Sequence, residues 1–356
     1  MEEYRIYIVK QGDTLESIAK ELRVGIDDLV EFHNAHTLSG FISNDEWGLF
    51  MRNEILVPRD LTRMRLAYMP NIVELRHGNT SFDCDDIMVD DSTEMSLKGQ
   101  AVLRIRTVQQ YAIKKDYSDK RTLCIIDSKD ILKRQVSPIY IPLAKTVSFL
   151  SYPLEHLELG LNPDGAIAKI VNQEEISERW QELKQTDEAQ VLLADQAIGK
   201  DVEHAMDADY SQSLRIVNET LKYKLLCPDF FGRYTLAEKH IRETDLQLTS
   251  NFFTSDKIRF TLEEECNCIL EENTFIIRRK YQSMDEMQKE LSAAYRGALE
   301  DYLQCPLDYQ MTIDCTFTFS YSSFRMQETV CIMREQLNDE AVYSNEIRIR
   351  YNNEKP

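Results

Sequence analysis

The sequence predicts an α+β fold: an N-terminal βααβ module over residues 1–60, then a larger α+β body with antiparallel sheet and a helical segment. Three observations carry that expectation. A strand-turn-helix pattern opens the chain. Helical periodicity with few breakers runs from Asn172 to about Lys224. Strict alternation from Tyr309 to Tyr321 sets Met311, Ile313, Cys315, Phe317 and Phe319 against polar neighbours, the pattern of a strand with one buried and one wet face. For 356 residues, a prior of about 150 per domain suggests two or three domains. We expect divisions at 1–60, 61–250 and 251–356, or residues 61–356 folding as one composite domain.

Within the first sixty residues, Tyr7 to Lys10 is a short β-branched and aromatic run broken by Gly12-Asp13. Asp13 or Thr14 can cap the following helix, with Glu16 three residues after Asp13 as in a capping box. Leu15, Ile18, Ala19 and Leu22 recur at helical spacing. Gly25 caps a second helix with Ile26, Leu29, Val30 and His33 on one face, and Asn34 is its expected left-handed stop. Glu54 to Val57, closed by Pro58, supplies the second strand.

These residues, from Tyr7-Ile8-Val9-Lys10-Gln11-Gly12-Asp13-Thr14-Leu15 through Leu22, Val24, Leu29 and Asn34 to Ile55-Leu56-Val57-Pro58, resemble the lysin motif (LysM) module. The resemblance implies two helices on one side of a two-stranded antiparallel sheet, and binding of N-acetylglucosamine-containing glycan in a shallow groove. It places Gln11, Gly12, Asp13, Thr14 and Leu15 on one wall of that groove. The other wall falls in the stretch Ala35 to Asn53, which is longer than the family pattern and carries Phe41, Ile42, Trp47 and Phe50. Trp47 can stack on a sugar face or plug onto the next domain. Asn53 stands with Arg52 where the family has a glycine, and asparagine tolerates the left-handed turn required there.

Beyond the charged boundary Arg59 to Arg63, residues up to 172 read mainly as strands: Ser96 to Thr107, Leu123 to Ile126 and Ile139 to Ile141. Leu157, Leu159 and Leu161 alternate into Asn162-Pro163-Asp164-Gly165, and Ala166 to Val171 returns as the partner strand of a hairpin. Asn172 with Glu175 caps a helix whose buried face is Ile176, Trp180 and Leu183. After Cys227-Pro228, alternation resumes at Ile258, Phe260 and Leu262, with Glu264 marking a bulge or turn. Phe275 to Ile277 leads to a helix from Ser283, with Glu286 in the box position. Val330 to Met333 and Ile347, Ile349 and Tyr351 are neighbours for the Tyr309–Tyr321 strand. No repeat at a fixed period appears.

Composition bounds the function. With 61 acidic against 42 basic residues and a formal charge of −19, the chain is a poor ligand for nucleic acid or an anionic membrane surface. No apolar run approaches the roughly 20 residues of a spanning helix, and no secretory signal precedes the first strand. Eight scattered cysteines read as reduced core thiols, so a cytoplasmic protein is expected. Phosphate-loop, nucleophile-elbow and zinc-protease signatures are absent. Cys266-Asn267-Cys268 fits one face of a strand better than a metal or redox pair, and the six histidines form no metal motif. No catalytic residue, cofactor or metal is therefore expected.

The resulting expectation is a noncatalytic protein that recognises peptidoglycan or a chitin-like oligosaccharide. An adaptor role in a multiprotein machine, such as a contractile injection or phage-tail-like system with the module docking onto protein, is the alternative. A peptidoglycan hydrolase is the third, because LysM modules often accompany one. A wall-glycan module on a cytoplasmic chain implies either reuse for protein docking or export by a route without a cleaved signal.

Overall fold

The computed structural model describes residues 4–10, 12–37, 42, 54–59, 61, 72–75, 84–118, 121–195, 197–253, 256–269, 272–321 and 325–351. The chain divides into two units, Met1–Val73 with Cys268–Thr274, and Glu74–Asn267 with Phe275–Pro356.

The first unit holds β1 (Tyr4–Ile8), α1 (Leu15–Leu22), α2 (Ile26–His36) and β2 (Glu54–Pro58). β1 and β2 pair antiparallel from Tyr4 opposite Pro58 to Ile8 opposite Glu54. Leu15, Ile18, Ala19, Leu22, Val24 and Leu29 bury their side chains with Ile55 and Val57 of β2 in one core, so the apolar stripe of α1 and the inward residues of β2 define each other's buried side. Between the helices, Arg23 takes the left-handed conformation (φ 57°) usually given to glycine, and the Val24 amide donates to the Ala19 carbonyl. The expected stop at Asn34 is not used: α2 runs on to His36. Phe41, Trp47, Phe50 and Asn53, like Gln11, lie outside the described residues.

After β3 (Ile72–Leu75), the second unit is built on one sheet. β4 (Cys84–Leu97), β5 (Gln100–Ser118), β6 (Arg121–Val136), β7 (His156–Leu161) and β8 (Ile167–Ile170) form one meander. Apart from the short β9 (Gly232–Thr235), the later strands are β10 (Lys239–Thr249), β11 (Lys257–Ile269), β12 (Thr274–Ser283), β13 (Gln310–Ser320), β14 (Met326–Asn338) and β15 (Ala341–Tyr351). The eleven strands follow the order β10-β11-β12-β13-β14-β15-β4-β5-β6-β7-β8. β15 pairs antiparallel with β4 from Ala341 opposite Leu97 to Tyr351 opposite Ile87, so strands from both sides of residue 250 share one sheet. Outward from this seam, the step between third and fourth strands passes through helix on both sides. Residues 138–154 link β6 to β7, and α9 (Glu286–Tyr295) and α10 (Ala298–Leu303) link β12 to β13.

The alternation in β13 is realised residue by residue, with Met311, Ile313, Cys315, Phe317 and Phe319 all buried. Phe319 meets Phe230 edge-on at 5.2 Å between ring centroids and lies 5.8 Å from Phe275. Cys315 faces Cys331 across the register, and of the seven cysteines whose side chains are described five are buried thiols. The helical segment holds α4 (Gln173–Lys184), α5 (Asp187–Leu193), α6 (Gly199–Ser211), α7 (Leu214–Glu219) and α8 (Leu221–Leu226). Trp180 is 1% exposed and its indole nitrogen donates to Asp207 at 2.7 Å.

Several local expectations are corrected. Ser96 to Thr107 is not one strand: Lys98 and Gly99, both at positive φ (51° and 70°), make the tight turn between β4 and β5. Ile139 to Ile141 is helical, a 3₁₀ turn over Pro138–Tyr140 leading into α3 (Ile141–Leu150), because Pro138 and Pro142 sit in first turns where a missing amide costs nothing. Asn172 precedes α4 without capping it; its carboxamide accepts from the Glu158 amide at 2.9 Å and donates to the His156 carbonyl, tying the helix entry to β7. Ser283 ends β12 and accepts from the Met311 amide, and the helix begins at Glu286 after Asp285.

Glu264 makes neither bulge nor turn. It stays in register opposite His240 and accepts from Arg279 at 2.6 Å. Arg279, 3% exposed, also donates to the Asp229 carboxylate at 2.5 Å and carbonyl at 2.9 Å. A carboxylate on an otherwise apolar strand face is thus explained by the buried guanidinium it neutralises. Arg279→Met would leave Glu264 without its counter-charge, and we expect a loss of about 3 kcal/mol in urea denaturation. A loss under about 1 kcal/mol would mean that the pair is dispensable.

Candidate functional site

The groove wall expected at residues 11–15 is a tight, internally braced turn. Gly12 sits at φ +93°, a conformation side-chain-bearing residues rarely adopt. The Asp13 amide donates to the Lys10 carbonyl at 3.0 Å, and the Lys10 amide donates back to the Asp13 carboxylate at 2.8 Å. The Tyr7 hydroxyl reaches the same carboxylate at 3.4 Å and Glu21 of α1 at 2.7 Å. Partial burial and these two carboxylates hold the Tyr7 phenol protonated well above its ordinary range. The strand, the turn and the first helix are therefore clamped by one tyrosine.

Of the two expected helix caps, Thr14 is the one used. Thr14, not Asp13, is the N-cap: its hydroxyl accepts from the Ser17 amide at 3.0 Å, and the Ser17 hydroxyl accepts from the Thr14 amide at 2.9 Å. Ser17 stands where the box usually has glutamate or glutamine, its shorter side chain still reaching the cap amide. Asp13 is already committed to the turn, which is why Glu16 has no box partner. Leu15 is 1% exposed, so its side chain belongs to the core and only its backbone remains for a ligand.

This arrangement concentrates donors at one place. Of the amides at the start of α1, those of Thr14 and Ser17 are taken by the box, and those of Leu15 and Glu16 carry no hydrogen bond among the described residues. Among the described residues, a methyl built on Gly12 meets no atom within 4 Å beyond its chain neighbours. Two backbone donors beside a side-chain-free position suit a neutral acceptor such as an acetamide carbonyl.

Opposite in sequence, Asn34 reads as a structural residue the sequence undervalued. Its carboxamide holds the Ile42 backbone on both sides, accepting from the amide and donating to the carbonyl at 2.9 Å each, while the Ile42 side chain enters the core. His33, 1% exposed, accepts through Nδ1 from the Leu56 amide at 3.0 Å, so that nitrogen bears no proton. The sequence signal for both was their place at the end of an apolar helix face, where a polar residue needs a backbone partner.

The second unit has its own concavity, a cleft of about 640 Å³ beside α7, α8, β10 and β12, with Lys224, Asp229, Arg242 and Arg279 in its wall. Burial pulls the Lys224 ammonium below its ordinary range, opposed by Asp229. Asp229 is held by Arg279, and Glu219 by Arg215 and Lys257. The cleft wall includes Cys227 and Cys315 but no histidine among the described residues. Among the described residues, no group of three or more His, Cys, Asp or Glu comes together as a metal site, and no helix is long and apolar enough to cross a membrane.

The brace on the turn makes a prediction. Thr14→Ala should cost the first unit about 1 kcal/mol, and Asn34→Ala, which strands both backbone groups of Ile42, about 2 kcal/mol. Amide hydrogen exchange over residues 4–37 reads both; unchanged protection in Asn34→Ala would show that water replaces the carboxamide without cost.

Comparison with known proteins agrees with the geometry of the first unit. No curated protein matches the chain. Residues 7–32, from the clamping tyrosine into the second helix, match the LysM domain family, and the chain therefore carries a LysM domain, with no family assigned to the remainder.

Proposed function

We propose that this is a noncatalytic binding protein that recognises peptidoglycan or a related N-acetylglucosamine polymer through the turn Gly12 to Leu15. The LysM match points to glycan of the peptidoglycan or chitin type. The observation that carries the finer reading is that, among the described residues, the space over Gly12 is open and the amides of Leu15 and Glu16 carry no hydrogen bond. An acetamido sugar supplies an acceptor for those donors and a methyl for the space, and neither requires a charge on the protein. The absence of a net charge requirement also suits a chain of −19, since charge-based capture of an anionic polymer would be opposed.

The body is read as a scaffold. Among its cleft carboxylates, Asp229 and Glu219 are engaged by cations and Asp164 accepts from the Ala166 amide, which takes these three out of the paired, one-neutral-one-ionised arrangement that glycoside hydrolysis needs. Synthesis and residence in the cytoplasm are part of the same proposal.

A second reading, the module as a protein-docking adaptor within a larger machine, rests on a separate observation. On the outer face of the β1–β2 sheet Ile6 is 52% and Ile8 60% exposed, beside the half-buried Leu56. Apolar residues grouped on one sheet face suit a protein surface better than a sugar.

Sedimentation with insoluble peptidoglycan tests the first reading. Wild type should co-sediment. Gly12→Asn, which fills the space, should lose affinity about tenfold, with the thermal midpoint read alongside to separate that loss from the strain a side chain meets at φ +93°. Incubated sacculi should release no soluble muropeptides. Absence of co-sedimentation would leave the docking role, and muropeptide release would replace binding by hydrolysis.

A further inference from the structure

The second unit holds two pairs of buried thiols in contact, each with one member in the wall of the cleft. Cys124 of β6 and Cys227, the residue that ends α8, stand 3.2 Å apart sulfur to sulfur and are 0% and 3% exposed. Cys315 of β13 and Cys331 of β14 stand 2.8 Å apart. Cys227 and Cys315 are the members that line the cleft, so a small molecule in that space meets one sulfur of each pair.

Their surroundings set the pairs apart. Lys115 of β5 is the register partner of Cys124, and its side chain is buried. The hydrogen bond from Cys124 and the Lys115 ammonium together hold the Cys227 thiol below its ordinary range, against the opposing effect of burial. Cys331 is the reverse case: its hydrogen bond with Cys315, its burial and the neighbouring Asp314 carboxylate hold its thiol well above the ordinary range. Thiolate is the form that attacks an oxidant, which favours the pair containing Cys227.

The backbone favours the same pair. Cys227 lies where the chain has left α8, at φ −128° and ψ 68°, and residues 228–231 beyond it belong to no helix or strand. A movement of about 1 Å brings its sulfur from 3.2 Å to the bonded distance of about 2.05 Å. Cys315 and Cys331 are instead held in the middle of an unbroken run of register from Gln310 to Thr318.

We propose that Cys124 and Cys227 are a redox-active dithiol, which a hydroperoxide entering the cleft oxidises to a disulfide. The Cys227 thiolate attacks the terminal oxygen of the hydroperoxide, the O–O bond breaks, and the alkoxide leaves and takes up a proton as alcohol, or as water when the oxidant is hydrogen peroxide. Cys227 is left as a sulfenic acid. The Cys124 sulfur then displaces its hydroxyl as water, so that two thiols have lost two electrons and two protons and one peroxide bond has been reduced. The two cysteines are 103 residues apart, and the helices α4 to α8 all lie between them, so the bridge ties the end of the helical segment to the sheet. A cross-link over so long a loop stabilises chiefly by restricting the unfolded chain.

Treatment of the full chain with a modest molar excess of hydrogen peroxide, then alkylation in denaturant and peptide mass mapping, tests this. The Cys124 and Cys227 peptides should be recovered as one bridged species. The thermal midpoint should rise by about 5 °C and fall back on reduction with dithiothreitol. In C124S a sulfenic acid should accumulate on Cys227, where dimedone traps it, and in C227S Cys124 should stay reduced. Cys268, only half-buried, has its thiol pushed up to about 11 by burial and should stay reduced while Cys227 reacts. A wild type that forms no bridge between Cys124 and Cys227 overturns the inference, whatever the variants do. Bridging of Cys315 to Cys331 with Cys124 and Cys227 unmodified overturns it as well. Oxidation of Cys268 ahead of Cys227 would show that exposure alone governs the reaction, and overturns it too.

Discussion

The second unit depends on the pairing of its last strand with its first long one. β15 and β4 are about 250 residues apart in sequence, yet their eleven-residue register runs without interruption from Ala341 opposite Leu97 to Tyr351 opposite Ile87. Asn345 reinforces it by donating to Asp91, at 2.6 Å, and to Thr93, at 3.0 Å, on the neighbouring strand. Without this seam the two meanders would each present a long unpaired edge, the condition that invites pairing with other chains. Closing so distant a contact has an entropic cost that is recovered only once the ladder is complete, which makes it a late and cooperative event in folding.

The strands differ in how openly the sequence announces them, and burial explains the difference. β13 lies over the aromatic cluster of Phe230, Phe275 and Phe319, so each inward position must be apolar and the period of two is written plainly. From Asp90 through Gln110 no residue is buried, and from Asp127 through Tyr152 none is either. Their ladders are supported by ion pairs instead, Glu94 with its register partner Arg104 at 3.0 Å and Asp90 with Arg106 at 2.6 Å. The Arg106 guanidinium holds the Asp90 carboxyl below its ordinary range. A stretch of strand with no buried face is under no pressure to alternate, and so the extent of β4, β5 and β6 was legible only in fragments. The same reasoning accounts for Ile139–Ile141: an uncovered apolar run has no buried face from which to tell a helix from a strand.

In the LysM domain the backbone was legible and the bracing was not. Gly12 and the spacing of Leu15, Ile18 and Leu22 follow from conformational and burial rules that act within one turn of chain. The clamp of Tyr7 on Asp13 and Glu21, and the hold of Asn34 on Ile42, join residues 6 to 14 positions apart through polar side chains. Many side chains could make such bonds, so composition does not select these. Thr14 rather than Asp13 caps the helix for a related reason, since one carboxylate cannot serve the turn and the helix at once.

Charge is the property that a whole-chain figure hides most. A net −19 describes a molecule repelled by copies of itself, yet the acidic residues crowd the α4–α6 helices while β6 and α3 are locally basic. Within a Debye length of about 8 Å at physiological salt, local charge governs an encounter and the net charge does not. At longer range a net charge of one sign slows approach in every orientation, which discourages random aggregation of the exposed isoleucine and leucine side chains of α3 and β6.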